Sequence, residues 1–264
     1  MSKGVLYDVT RCIGCRGCQV ACKQWNELPG QATTNAGTRE NPPKLNAYAY
    51  TKIHFTEGNN AEGLQYDFVK QQCMHCQHPA CVQACIVGAL EKHDDGPVTY
   101  DNNKCIGCRY CQVACPFGVP SFEWDRAMPW IKKCTFCADR QGGGLKPACV
   151  TTCPTGALLY GDREDLIVKA HARIASLPAR YIKHVYGEKE VGGTSWLYMS
   201  AVPFEQLGLP NLGEEPVTVN AERAMSLVPP VLVGVAVLMT GIYWVSKRRE
   251  KVELAEDKAH GDKR

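Results

Sequence analysis

At 264 residues, with 45% hydrophobic and 22% charged side chains, the chain can bury one or two cores and is too apolar for an intrinsically disordered protein. A formal charge of +3 excludes the dense basic face that nucleic-acid binding requires. Sixteen cysteines demand disulfides, zinc or iron–sulfur clusters, and their Cys-x-x-Cys spacing argues against a disulfide framework, which belongs to short, secreted, loop-rich chains.

Met1 to Tyr7 show no basic segment followed by an apolar one, so no secretory signal is expected. Val5–Val9 is a short β-rich run ahead of the first cysteine block, Cys12, Cys15, Cys18 and Cys22, which reads as a loop entering a short helix. Residues 29–46, rich in Pro, Asn, Gly and Thr, predict a long surface loop. Tyr48–Phe55 alternates, Glu57–Gly63 is a turn, and Leu64–Val69 returns as the second strand of a hairpin. The second block is Cys73, Cys76, Cys81 and Cys85. A strand at Val98–Tyr100 precedes the third, Cys105, Cys108, Cys111 and Cys115. The fourth, Cys134, Cys137, Cys149 and Cys153, leads to a strand at Ala157–Tyr160.

Beyond the cysteines, Asp162 reads as a helix N-cap, with Glu164 and Asp165 in the first turn. Leu166, Ile167, Ala170, Ile174 and Leu177 form an apolar stripe that is expected to pack on its own domain, a partner's groove being the alternative. Residues 187–220 read as an extended strap. From Leu227 to Val245 nineteen residues carry no charge, and Tyr243-Trp244 followed by Lys247-Arg248-Arg249 close a membrane-spanning helix. Pro229 and Pro230 are placed in its first turn, where a missing N–H costs least. Lys258–Arg264 is expected to be a solvated tail. The expected division is therefore 1–161 for the cysteine domain, 162–220 for helix and strap, 221–249 for the membrane helix and 250–264 for a polar tail.

Self-similarity decides among the metals. Cys12-Ile-Gly-Cys-Arg-Gly-Cys-Gln-Val-Ala-Cys22 recurs at Cys105–Cys115 with one change, Gly17 to Tyr110. Two looser copies follow the same order of tight, loose, tight, loose. Cysteines at i, i+3 and i+6 wrap three corners of a cubane, and in double-cluster ferredoxins the fourth cysteine of a run, usually before Pro, ligates the neighbouring cluster. Cys115-Pro116 and Cys153-Pro154 keep that ending, whereas Lys23 and Ile86 follow the other two runs. A tetrathiolate zinc site leaves no use for the third and fourth cysteines of a run. Gly14, Gly17 and Gly107 suit a loop with positive φ that brings N–H groups to sulfur.

Sixteen thiolates thus close four [4Fe–4S] clusters. Spacing alone does not pair the runs; nesting favours first with fourth and second with third. The ligand sets are then Cys12, Cys15, Cys18, Cys153; Cys134, Cys137, Cys149, Cys22; Cys73, Cys76, Cys81, Cys115; and Cys105, Cys108, Cys111, Cys85. The fold class is α+β: two bacterial-type double-cluster ferredoxin-like units with long loop insertions, plus one C-terminal transmembrane helix. No Ser-His-Asp set, dinucleotide loop or Walker motif occurs, so the chain reads as a non-catalytic relay. His75 and His78 are given hydrogen-bonding or surface roles. Arg16, Arg109, Lys132 and Lys133 either raise cluster potentials or are solvated charge, and Trp25, Phe117, Phe122, Trp124 and Phe136 are read as core that excludes water.

Cys12 to Asn26, Cys73-Met-His-Cys76, Cys134-Thr-Phe-Cys-Ala-Asp-Arg140, Pro147 to Ala157 and Gly192-Gly193-Thr194 resemble the iron–sulfur (beta) subunits of membrane-associated respiratory formate dehydrogenases. These lie within the four-cluster subunits of molybdopterin oxidoreductases. Lys23-Gln24-Trp25-Asn26 and Asn41-Pro42-Pro43 carry the likeness to formate dehydrogenase. His184 to Lys189 and Val202 to Glu205 instead look like the subunit of uptake [NiFe] hydrogenases of the hydrogenase-2 type, the alternative reading; a tail-anchored polyferredoxin is a third. The resemblance implies a molybdenum or tungsten pterin catalytic subunit as donor. It implies a membrane cytochrome b, a quinone-reducing subunit or a c-type cytochrome as acceptor. Lys247, Arg248, Arg249 and Lys251 should stay cytoplasmic, which gives a single-pass protein of the cytoplasmic membrane with a periplasmic cluster domain, exported with a partner that carries a twin-arginine signal.

Overall fold

The computed structural model describes residues 2–34, 37–60 and 63–261. In chain order its strands and helices are β1 (Lys3–Asp8), α1 (Gly17–Trp25), β2 (Thr51–Asn60), β3 (Gly63–Gln72), α2 (Ala80–Gln83), β4 (Leu90–Lys92) and β5 (Val98–Tyr100). Then come α3 (Tyr110–Ala114), β6 (Ser121–Phe122), β7 (Ile131–Lys132), α4 (Ala138–Gly142), α5 (Ala148–Thr151), β8 (Leu158–Asp162), α6 (Arg163–Ser176), β9 (Trp196–Met199) and α7 (Val219–Gly261). Residues up to Val217 form one compact unit and those from Thr218 a second. Helices and strands interleave along the chain, as the α+β reading expects.

The organising sheet of the first unit has the order β8-β1-β9. β1 pairs antiparallel with β8, Leu6 opposite Leu159, and parallel with β9, Leu6 opposite Leu197. Side chains alternate across a strand, so β1 divides its residues between two cores. Leu6 joins Leu197 and Met199 beneath Leu166, Ala170 and Ile174 of α6. Val5 and Tyr7 join Trp196 and Tyr198 on the other face, among Cys18, Cys149 and Phe136. One face of the sheet thus carries a helix and the other supports cysteine blocks.

Asp8 ends β1 as a buried anchor. Its carboxylate accepts from Arg173 at 2.8 Å, from the Tyr181 hydroxyl at 2.9 Å and from Thr10 Oγ1 at 2.7 Å. Removing one member of such a buried charged pair costs about 3–5 kcal/mol, so these bonds tie the start of the chain firmly to residues far along it.

Four expectations change in detail. The stretch read as a strap supplies β9, all four of whose residues are buried. Asp162 makes no side-chain cap on α6, because its carboxylate takes the Lys3 ammonium at 2.7 Å; and Leu177 lies past the helix end, exposed. The hairpin strands run on to Asn60 and from Gly63, so the expected turn is shorter, and residues 61–62 lie outside the described residues.

In the second unit, α7 is long and apolar enough over Val219–Leu254 to cross a membrane. It starts before the uncharged run, which puts Pro229 and Pro230 in the helix interior rather than in its first turn. Such prolines are tolerated in spanning helices, where local adjustments satisfy the freed carbonyls. The expected tail from Lys258 is helical up to Gly261, and residues 262–264 lie outside the described residues.

Candidate metal centres

The repeated sequence has a repeated backbone. Gly14 and Gly107 take φ of 66° and 71°, and two residues on Arg16 and Arg109 take 60° and 65° as the left-handed residues before α1 and α3. Gly17 is helical, so the turn expected of it falls on Arg16 instead. The loose runs bend at non-glycine residues: His75 at 48°, Phe136 at 61° and Cys137 at 51°. Left-handed backbone costs roughly 1–3 kcal/mol per residue outside glycine, and the curvature serves to aim N–H groups at sulfur. Phe136 N–H donates to Cys134 Sγ at 3.3 Å and Ala89 N–H to Cys85 Sγ at 3.1 Å. The Asn26 amide approaches Cys22 Sγ at 3.7 Å.

All sixteen cysteines are free thiols. Cys12, Cys15, Cys18 and Cys153 line a small apolar pocket with Tyr7, Ile53 and Leu158. Cys22, Cys134, Cys137 and Cys149 line a second with Lys70, Tyr50 and Trp196. Cys76 and Cys81 lie in the electrostatic reach of Cys73 and Cys115, and Cys111 in that of Cys105, Cys85 and Cys108. Among the described residues no three Cys, His, Asp or Glu side chains converge closely enough for a single metal ion. Thiols spread around a cavity suit the separated corners of a cube instead. The indole N–H of Trp196, beside the second cavity, is buried without an acceptor among the described residues, a leftover donor that fits an anionic group.

Burial raises the thiol pKa values, and neighbouring sulfur charges add to it: Cys18, Cys22 and Cys81 are pushed up to about 12, Cys111 and Cys137 to about 11. Lys70 works the other way on Cys18 and Cys22. In the cluster-free chain these thiols hold their protons at neutral pH, whereas iron takes thiolates. When a thiolate-ligated cluster is transferred into the anaerobic cluster-free chain, each cysteine proton passes to a departing thiolate, so the transfer should quicken as pH rises above neutral, followed by the visible absorbance of the bound cluster. The sign follows from the upward shifts: the thiols favour the cluster-free fold below the ordinary thiol value, and that contribution is lost as pH rises towards about 12.

Two family models, both described as 4Fe-4S dicluster domains, match residues 11–89 and 64–163, which together take in every cysteine. A protein of Nitratidesulfovibrio vulgaris is 46% identical over 99% of this chain and 71% of its own length. The nitrate-inducible formate dehydrogenase iron-sulfur subunit of Escherichia coli K12 is 40% identical over 74% of this chain, which spans 66% of that relative. The hydrogenase-2 operon protein HybA of Escherichia coli O157:H7 is 36% identical over 90% of this chain and 84% of its own. The chain belongs to this iron–sulfur subunit family. It is an electron-transfer subunit with four [4Fe–4S] clusters.

The other residues singled out from the sequence of this iron–sulfur subunit fall on both sides of the surface. His75 is fully buried, its Nδ1 accepting from Val98 N–H at 2.9 Å and its ring stacked on Phe136 at 5.0 Å. Burial and then Lys133, Lys92 and Lys70 hold its pKa well below the usual range, so it is neutral; His78 is at the surface. Phe122 and Phe136 are core, but Trp25 and Trp124 are 42% and 57% exposed. Each indole is covered instead by a guanidinium, Arg140 at 4.3 Å and Arg109 at 4.4 Å, which accounts for aromatic surface left outside the core. Lys133 is buried and donates to the Val98 and Cys134 carbonyls, so it is not solvated charge.

Sequence reasoning missed Lys70. On β3 the even positions Leu64, Tyr66 and Phe68 are apolar, and period two puts Lys70 and Gln72 on the same face. A lysine continuing an apolar face was the available signal.

Proposed function

We propose that the subunit relays electrons from the molybdenum or tungsten pterin catalytic subunit of a formate dehydrogenase to a quinone-reducing or cytochrome subunit in the cytoplasmic membrane. The gathering of cysteines from distant runs into four sets carries the reading. Each cluster, when bound, takes up and passes on one electron at a time. The chain's residues hold four such groups at fixed places, keep water from the inner ones and supply the charge around them.

The ligand sets we assign are Cys12, Cys15, Cys18 and Cys153; Cys22, Cys134, Cys137 and Cys149; Cys73, Cys76, Cys81 and Cys115; Cys85, Cys105, Cys108 and Cys111. The two cavities and the sulfur neighbourhoods support that grouping. Cys15 and Cys108 are the two exposed cysteines, one in each tight run, and they mark the two ends at which a relay exchanges electrons with partners. α7 anchors the subunit in the bilayer, with Lys247, Arg248 and Arg249 on the cytoplasmic side and the cysteine domain in the periplasm.

The formate reading draws on the 40% identity to the formate dehydrogenase subunit. A second reading, service to a hydrogenase, has its own support, since the likeness to HybA covers 90% of the chain. Dye reduction by the intact membrane complex, assayed separately with formate and with hydrogen, decides between them. Formate-dependent activity alone is the expected result, and hydrogen-dependent activity alone would overturn it.

A further inference from the structure

Lys70 is a cation placed where a core residue belongs. Its side chain is 1% exposed, and its ammonium donates to Thr51 Oγ1 at 2.7 Å and Gln72 Oε1 at 2.9 Å and lies over the Trp196 ring at 4.4 Å. All three partners are neutral. Among the described residues no carboxylate forms an ion pair with it. An ammonium has three donors, and only two are taken by oxygen. Buried charge in a protein is normally paired, because an unpaired one forfeits its hydration without return.

The compensation lies on the remaining side. Lys70 borders the cavity lined by Cys22, Cys134, Cys137 and Cys149. Burial on its own lowers the lysine pKa, and it is as thiolates, the form in which they would hold a cluster, that Cys149, Cys18, Cys134 and Cys22 turn the net direction upward. Lys133 is as buried, but backbone carbonyls solvate its ammonium, so it has no comparable need of an anion.

We propose that Lys70 is the fixed counter-charge of the cluster held by Cys22, Cys134, Cys137 and Cys149, and that it sets this cluster at a higher reduction potential than a neutral residue would. A cluster with four thiolate ligands is anionic and becomes more so on reduction, so a cation locked beside it favours the reduced state. Thr51 and Gln72 hold the ammonium in position. The cluster assigned to Cys12, Cys15, Cys18 and Cys153 feels the same charge through Cys18, and the one assigned to Cys73, Cys76, Cys81 and Cys115 lies beside His75, which Lys70 also reaches; the fourth serves as the internal control.

This inference rests on the cysteine grouping proposed above, and the test separates the two. The holo complex is purified anaerobically with Lys70→Met, Lys70→Arg, Cys22→Ser or Cys134→Ser in the full-length chain. Iron per chain is measured, and reductive titrations are followed by electron paramagnetic resonance. Cys22→Ser and Cys134→Ser should affect the same signal, which identifies the cluster; different signals would overturn the grouping and the proposal with it. Lys70→Met should move that signal to lower potential, with the signal of the cluster assigned to Cys85, Cys105, Cys108 and Cys111 unmoved, and Lys70→Arg should restore it. Full iron content with unmoved potentials in Lys70→Met would overturn the lysine's role and leave the grouping intact. If Lys70→Met loses the cluster, retention in Lys70→Arg supports the requirement for charge, whereas equal loss in both shows a packing role and overturns it.

Discussion

Cys22→Ser should cost the subunit a cluster whose other ligands lie more than a hundred positions along the chain. Cys22 leaves the first run on α1 and shares its cavity with Cys134, Cys137 and Cys149, while Cys12, Cys15 and Cys18 share theirs with Cys153. Serine is a poor replacement for a buried thiolate, so iron should fall from about sixteen to about twelve atoms per chain. The resonance of the cluster on the first run should persist. Loss of that resonance, with the fourth run's cluster intact, would show that each run holds its own cluster.

Truncation after Val217 should move the subunit almost wholly from the membrane to the soluble fraction without changing its iron content. The residues up to Val217 form a compact unit that contains every cysteine, and α7 holds the one long apolar stretch among the described residues. An uncharged run of nineteen residues matches the thickness of a bilayer, and among the described residues no other helix is comparably long and apolar. The same helix tests sidedness: a reporter fused to the C-terminus should be active in the cytoplasm, and activity confined to the periplasm would reverse the orientation read from Lys247, Arg248 and Arg249.

How much of this was legible depended on whether each residue's role leaves a periodic trace. The cysteine runs declare themselves because three corners of a cube impose a step of three. The hairpin did so through alternation, and the apolar helix through length. β9 did not: Trp196, Leu197, Tyr198 and Met199 are buried on both faces, which erases the period of two, and glycines and prolines around them suggested an open strap. Asp162 looked like a cap because a cap needs only a local sequence, whereas its partner Lys3 comes from the other end of the chain. Trp25 and Trp124 were placed in the core on side-chain type alone, and the guanidinium that covers each could not be inferred from sequence position. Lys70 was visible only as an irregularity in an apolar face, and its meaning came from the thiols that surround it.

The position of β1 has a consequence for how the protein is made. β1 lies in the middle of its sheet, and both neighbours, β8 and β9, are synthesised more than 140 residues after it. Contacts between such distant segments close slowly and late in folding. Through most of translation the N-terminal cysteine run must wait without the sheet that supports it, its thiols open to competing metals and to oxidation. An assembly factor or the catalytic partner that held this segment would protect the stage of biogenesis at which the subunit is most exposed.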